Sequence, residues 1–119
     1  MSRSRGAAAL RVSDAVPVFA ALGDATRLTL LGRLSANGPL SITSLSKGTG
    51  VTRQAITRHL ETLGDAGLVR NSRSGRERVW ELDLKRVEKA RRYLDQIAAQ
   101  WDEAADRLKA FVEDGSAGP

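Results

Sequence analysis

Apolar residues near the start of the chain recur at helical spacing and are interrupted by turn-forming residues. The segment 15–22 predicts a first helix, with Pro17 near its start, where the missing N–H costs no hydrogen bond. Asp24 is suited to cap a second helix that ends at the turn residues 37–39. The apolar side chains of this second helix recur every three residues, with one more on the flank: Leu28, Leu31 and Leu34, with Leu30 beside them.

The following segments predict a short helix, a tight turn and a longer helix with two unlike faces. Ser41 is a suitable N-cap for the short helix, and the glycines in 47–50 supply the turn. Thr52 is a suitable N-cap for the longer helix, which ends at Gly67. The buried stripe of this helix contains three apolar residues, Ile56, Leu60 and Leu63. Its outward face carries polar side chains: Arg53, Gln54, Thr57, Arg58 and Glu61.

A hairpin and a long helix complete the pattern. The segments 68–73 and 77–82 flank the turn 74–76 and predict two strands of a β-hairpin. The segment 84–112 contains neither proline nor glycine and predicts one long helix. Its apolar residues follow a heptad repeat, with Val87, Leu94, Trp101 and Leu108 at one position and Ala90, Ile97, Ala104 and Phe111 at the other.

The apolar stripe on this last helix needs a cover, because so long a helix projects beyond a domain of this size. A second copy of the chain is the cover that we favour, since large anchors lie near the chain end, where little remains to bury them. The alternative is a helix folded back on its own core. The sequence therefore predicts a homodimer with an interface formed by Leu94, Ile97, Trp101, Leu108 and Phe111.

Length and composition place these elements in one mostly helical domain. The chain has 119 residues, of which 41% are hydrophobic and only 4% aromatic, so its core is built mainly from aliphatic side chains. We expect a winged helix-turn-helix with about five helices and a two-stranded wing. This domain, which contains the helix-turn-helix, the wing and the dimerisation helix, is expected to span residues 14–113, between a flexible basic arm, 1–13, and a flexible tail, 114–119.

The charge balance narrows the class of partner and the compartment. A net charge of +5 produces a surface that attracts polyanions, although taken alone it also fits a membrane-surface or ribosome-associated protein. The chain has no cysteine, which excludes disulfides and thiolate metal ligands. Neither a signal peptide nor a membrane-spanning apolar run of roughly 20 residues is recognisable. We therefore expect a cytoplasmic protein that does not bind membranes.

The fourth helix and the hairpin together predict double-stranded DNA as the partner. In a helix-turn-helix the second helix enters the major groove with its N-terminal residues at the base edges. Arginine can donate two hydrogen bonds to guanine, and glutamine can form two with adenine. The candidate readers are therefore Thr52, Arg53, Gln54, Thr57 and Arg58. Arginines near the hairpin tip are suited to phosphate or the minor groove: Arg73, Arg76 and Arg78.

Catalytic and metal sites are not predicted. The sequence shows no nucleophile with a base and no paired carboxylates, and the segment 47–50 lacks the residue order of a phosphate-binding loop. His59 is the only histidine, and one imidazole cannot form a zinc site. We interpret it as a packed or hydrogen-bonded residue and expect no enzyme activity, no cofactor and no metal.

The alternative function is a protein–protein interaction module, an adaptor or antitoxin-like protein, that docks a partner through its last helix.

Three motifs, in this order and spacing, resemble the ArsR/SmtB family of bacterial transcriptional regulators. They are the sequences at 21–27, 51–60 and 66–69, and Gly75-Arg76 follows before a strand. The resemblance covers residues 14–113 and implies a dimeric winged-helix repressor that a signal releases from its operator. The predicted third helix, 41–47, lacks the Cys-x-Cys ligands of metal-sensing members. The chain is therefore most similar to the branch without metal-binding residues, and we expect an unknown, non-metal signal.

Overall fold

The computed structural model describes residues 9–117, and of residues 116 and 117 only the backbone. Within this range the chain forms five helices and three strands. Their bounds are α1 Val12–Leu22, α2 Ala25–Asn37, β1 Leu40–Ser41, α3 Ile42–Ser46, α4 Arg53–Asp65, β2 Val69–Ser74, β3 Glu77–Leu82 and α5 Leu84–Ala117. The predicted class, a mostly helical winged helix-turn-helix with a long last helix, is confirmed.

The sheet has one strand more than the predicted two-stranded wing. Its order is β1-β3-β2 with antiparallel pairing throughout, and Leu40 of β1 lies opposite Trp80 of β3. Strand β1 has only two residues and leads directly into α3. A strand of two residues is too short to show the alternation of apolar and polar residues by which strands are predicted from a sequence. It forms because it pairs with a distant strand.

The predicted helix caps are present. The Asp24 carboxylate accepts a hydrogen bond from the Arg27 N–H at 3.1 Å, and Ser41 Oγ accepts one from the Ser44 N–H at 3.2 Å. Thr52 Oγ1 accepts one from the Ala55 N–H at 3.1 Å. Each bond satisfies a donor that the first turn of a helix leaves without a partner.

Helix α1 begins three residues before the predicted start, at Val12. Pro17 therefore lies in the second turn, where its missing N–H leaves the Ser13 carbonyl without its helical donor. Ser13 is exposed, so water can bind that carbonyl. The described part of the predicted arm is also anchored, because Leu10 is buried in the core. Residues 1–8 of the arm lie outside the described residues.

The core lies between α1, α2, α3, α4 and the sheet. The predicted stripe of α4 is confirmed, since Ile56, Leu60 and Leu63 are fully buried. In α2 the predicted face is rotated: Leu30 and Leu34 are buried, whereas Leu28 is 53% exposed. Leucines on adjacent faces satisfy the helical period equally well, so only the packing decides which of them point inward.

Helix α5 is mostly outside this core. It has 34 residues and is therefore about 51 Å long, and Ala90 is its one buried residue among those described. Every side chain from 98 to 115 is exposed. The helix continues through Gly115, so residues 114–117 of the predicted tail are helical.

No single helix within residues 9–117 combines the length and the apolar character needed to cross a bilayer. By length and composition alone, the pair α1 and α2, bent by 98°, would satisfy that requirement jointly.

Candidate nucleic-acid interface

The first turns of α4 present three long polar side chains to solvent. Arg53, Gln54 and Arg58 are exposed, and their side chains form no hydrogen bond to another residue in the described range. Thr57 is half-buried, and its hydroxyl donates to the Arg53 carbonyl at 2.9 Å. The hydroxyl of the exposed Thr52 accepts the capping bond. Thr52 therefore keeps its proton to donate outward, whereas Thr57 can only accept further bonds.

The turn between α3 and α4 is fixed by its own hydrogen bonds. Gly48 and Gly50 adopt φ angles of 72° and 70°, a conformation that other residues rarely adopt. Thr49 Oγ1 donates to the Ser46 carbonyl at 2.8 Å and accepts from the Val51 N–H at 3.1 Å. These bonds set the direction in which the chain enters α4.

Arg33 of α2 fixes the other end of this turn, a role that no local sequence pattern indicates. One guanidinium nitrogen, Nη1, donates to the carbonyls of Leu45 at 2.9 Å and of Lys47 at 2.6 Å. These carbonyls end α3, where helical partners are missing, and a cation is favoured there. Arg33 therefore ties α3 to α2 and keeps the helix-turn-helix in one geometry.

His59 is a hydrogen-bonded residue on the inner side of α4, as predicted. Arg27 Nη1 lies 3.2 Å from His59 Nδ1, and Arg27 Nε donates to the Ala21 carbonyl at 2.6 Å. Because an arginine can only donate, Nδ1 accepts this hydrogen bond. The Asp24 carboxylate lies 3.8 Å from the same nitrogen. Arg27 thus connects the end of α1, the start of α2 and the middle of α4.

The Asp24 carboxylate has a lowered pKa. The main cause is the hydrogen bond from the Arg27 N–H, and the positive charge of Arg27 adds to it. Both favour the ionised form, so the cap on α2 carries its full charge at neutral pH.

The tip of the hairpin is a surface of unpaired positive charge. Gly75, at the first central position of the turn, has a φ of 66°, whereas Arg76 at the second is not left-handed, which is the pattern of a type II′ turn. Arg73 and Arg78 lie directly opposite each other on β2 and β3, and all three arginines are exposed. Like charges in facing positions of a hairpin are destabilising. An anion between them would remove that cost.

The base of the hairpin differs from its tip. Arg70 Nε lies 2.9 Å from a carboxylate oxygen of Glu81, the residue directly across from it. This pair is neutral as a unit. The net positive charge of the wing is therefore concentrated at the tip, beyond the paired residues.

The predicted dimer residues on α5 are exposed along one stripe. Trp101 and Phe111 are each 74% exposed, Leu94 and Leu108 are more than half exposed, and Ile97 is half-buried. Helix α1 adds two exposed apolar residues that the sequence analysis missed, Val12 and Val16. Their spacing of four residues is the signal that could have found them.

Helices α1 and α5 meet at a pair of aromatic rings. The ring centroids of Phe19 and Tyr93 lie 5.7 Å apart with the planes tilted by 43°. This contact anchors the first turns of α5 to the domain. The described residues contain no group of three or more His, Cys, Asp or Glu side chains that could hold a metal ion.

The helix-turn-helix region matches known proteins in sequence. A profile of the family described as "Helix-turn-helix domain" matches residues 22–71. The HTH-type transcriptional regulator YuzN of Bacillus subtilis is 43% identical over 68 residues, which are 52% of this chain and 74% of that protein. The HTH-type transcriptional regulator Rv2034 of Mycobacterium tuberculosis is 38% identical over 77 residues, 65% of this chain and 71% of that protein.

The whole fold also matches solved structures. An ArsR-like transcriptional regulator from Rhodococcus sp. RHA1 is similar with a TM-score of 0.72 and 35% sequence identity, covering 83% of this chain and 92% of that one. These relatives are transcriptional regulators, and their matches include the helix-turn-helix of this chain. The chain therefore belongs to the ArsR family of winged helix-turn-helix transcriptional regulators and is a DNA-binding protein.

Proposed function

We propose that the protein is a homodimeric repressor that binds a near-palindromic operator and is released from it by a non-metal signal. The observation that carries this proposal is the exposed face at the start of α4, where the side chains of Arg53, Gln54 and Arg58 have no partner among the described residues. Long polar side chains without internal partners, on a helix whose position is fixed, are suited to reading bases.

The readers divide by their chemistry. Arg53 and Arg58 can each donate two hydrogen bonds to a guanine, and Gln54 can pair with an adenine. Thr52 has a hydroxyl proton to donate, and Thr57 has oxygen lone pairs to accept with, so each can contact bases or phosphate oxygens. The first two turns of α4 therefore supply the sequence discrimination of the operator.

The wing supplies affinity rather than discrimination. The facing arginines Arg73 and Arg78, with Arg76 at the tip, are relieved of their mutual repulsion when phosphate oxygens lie between them. Phosphates are the same in every DNA sequence. The wing thus holds the duplex while α4 reads it.

Dimerisation through α5 determines the symmetry of the operator and the spacing of its half-sites. Two copies related by a twofold axis place their α4 helices in successive major grooves, about 34 Å apart. The interface residues are Leu94, Ile97, Trp101, Leu108 and Phe111 of each copy. Such a dimer on its operator represses by excluding the polymerase. The signal releases the dimer because it binds the form that is not competent for DNA more tightly.

The test begins with selection of bound fragments from genomic DNA by the purified protein, which yields the operator. Arg53→Ala and Gln54→Ala are then compared on this operator and on single-base variants of it. We expect each substitution to lower the affinity about 5- to 150-fold and to remove the preference at one base pair per half-site, since a bidentate contact contributes about 1–3 kcal/mol. Lys109→Ala, which removes one exposed charge from distal α5, is the matched control. An Arg53→Ala protein with unchanged affinity and preference would refute the assignment of the readers.

A further inference from the structure

A small polar pocket lies between α2 and the turn that precedes α4. Its volume is about 250 Å³, and one face of α2 and the turn supply its lining: Ala25, Thr26, Thr29, Arg33, Gly48 and Thr49. We propose that this pocket binds one phosphate of the DNA backbone, beside the bases that α4 reads. The inference rests on the proposed operator binding and adds a contact to it that neither α4 nor the wing supplies.

The pocket offers hydrogen-bond donors that the described structure leaves unused. Arg33 bonds to the carbonyls of Leu45 and Lys47 through Nη1 alone. The N–H groups on its Nε and Nη2 have no partner among the described residues. The hydroxyl of Thr26 likewise forms no hydrogen bond to another residue in that range. A guanidinium edge and a hydroxyl are therefore available to an acceptor in the pocket.

The other two hydroxyls of the pocket have already given their protons to the backbone. Thr29 Oγ1 donates to the Ala25 carbonyl at 3.0 Å, and Thr49 Oγ1 donates to the Ser46 carbonyl at 2.8 Å. A hydroxyl has one proton, so neither of these two can donate to a ligand. Among the three threonines of the pocket, Thr26 is therefore the one that can bind an anion.

The charge of the lining is positive. Arg33 is the one charged residue in it, and no carboxylate faces the pocket from the described part of the chain. Asp24 is near in sequence, but its carboxylate accepts the Arg27 N–H at 3.1 Å and lies 3.8 Å from His59 Nδ1. A guanidinium and a hydroxyl without an opposing carboxylate suit an oxyanion, and phosphate oxygens accept charge-assisted bonds from both.

The position of the pocket favours a phosphate of DNA over a free anion. Thr49 lies three residues before Thr52, so the pocket is next to the end of α4 that faces the base edges. A helix about 10 Å across occupies most of a major groove about 12 Å wide, and rows of phosphates border that groove on both sides. The turn beside the entering end of α4 therefore meets a bordering phosphate.

Replacement of single phosphates in the operator tests this contact. Each phosphate of one half-site is replaced in turn by an uncharged methylphosphonate, and the affinities of the parent and of Thr26→Val are measured on every duplex. We expect the parent to lose affinity about tenfold at the phosphate that the pocket binds. Thr26→Val should bind the unmodified operator about threefold more weakly and lose only about threefold more at that same phosphate. At all other phosphates the two proteins should respond alike.

Matched variants separate the hydroxyl and the charge from the shape of the pocket. Thr26→Ser retains the hydroxyl and should bind as the parent does. Thr29→Val removes a hydroxyl whose proton is bonded to the Ala25 carbonyl, so it should leave the affinity unchanged. Arg33→Gln removes the charge and should reduce the salt slope of binding by about 0.9. None of these variants should change the base preference, because phosphates are the same in every sequence.

The outcomes distinguish the pocket from the proposed function. If Thr26→Val lost as much affinity as the parent at every phosphate, or if Thr29→Val weakened binding as strongly as Thr26→Val, the pocket contact would be refuted while operator binding remained. An unchanged salt slope in Arg33→Gln would also refute it. Calorimetric binding of inorganic phosphate to the parent but not to Thr26→Val, with equal operator affinities, would make the pocket a free-anion site and the DNA contact wrong. A parent protein that binds no duplex would refute the proposed function itself.

Discussion

Helix α4 and the distal half of α5 are both amphipathic, but the apolar face of α4 is buried, whereas that of distal α5 is exposed. The stripe of α4 is fully buried within its own domain, whereas Trp101 and Phe111 on α5 are 74% exposed. The polar face of α4 is presented on a helix that Thr52 caps at its start and that Arg27 contacts at its middle, and Arg33 fixes the turn before it. Distal α5 projects from the core, and residues 98–115 are all exposed. The apolar face of α4 is therefore buried within a single chain, and we infer that the apolar face of distal α5 is buried only in a dimer.

The largest effect on stability should come from truncating a core side chain of α4. We expect Leu60→Ala to lower the free energy of unfolding by about 2–5 kcal/mol, because it leaves a cavity where no solvent reaches. Urea denaturation at a fixed protein concentration measures it. Leu28→Ala, at a half-exposed leucine of α2, is the control and should cost far less. Equal costs would mean that the core is not where the structure places it.

The corresponding truncation on α5 should act on association instead. We expect Leu108→Ala to raise the dimer dissociation constant about tenfold, which corresponds to about 1.4 kcal/mol, because it removes an interface anchor. Sedimentation over a range of concentrations measures it. Lys109→Ala, one residue further and off the stripe, should leave the constant unchanged. If Leu108→Ala destabilised the isolated monomer as strongly as Leu60→Ala does, distal α5 would be packed against the core of its own chain.

Removing the cap of α4 should have a smaller effect. We expect Thr52→Ala to cost about 1 kcal/mol of stability, because the Ala55 N–H loses its acceptor. Thr52→Ser retains the hydroxyl and should lie close to the parent in urea denaturation. A Thr52→Ser protein as unstable as Thr52→Ala would show that the capping bond is not the cause.

The smallest effect concerns pH and the cap of α2. The pKa of Asp24 is lower in the folded chain than in the unfolded chain, so at the same acidic pH the folded state binds fewer protons than the unfolded state. The stability from this carboxylate is therefore fully present near neutral pH and is lost below about pH 4, as the pH falls through the folded pKa. Asp24→Asn retains a capping oxygen that does not titrate. Its stability should fall less steeply in acid, and an identical acid profile would contradict the role of Asp24.

Local signals explain which parts of the fold the sequence could predict. A cap joins residues three apart, and the α4 stripe repeats within one helix, so Thr52 and Leu60 could be placed from their neighbours alone. The readers on α4 could be predicted for the same reason, because they occupy the face opposite that stripe. Their contacts with DNA remain a prediction.

Long-range contacts explain what the sequence did not predict. Strand β1 exists through its pairing with β3, some forty positions away, as Leu40 lies opposite Trp80. Arg33 bonds to carbonyls 12 and 14 residues further along the chain. Neither contact has a pattern within a short window.

The salt dependence of operator binding tests the central claim most directly, namely that α4 and the wing of a dimer hold duplex DNA. We expect the logarithm of the binding constant to fall linearly with the logarithm of the salt concentration, with a slope of about −0.9 for each phosphate contacted. Arg76→Ala should weaken binding on all sequences alike and reduce that slope by about one. An affinity that is insensitive to salt, or a protein that ignores the selected duplex in dilute buffer, would contradict the account and favour a protein partner for α5.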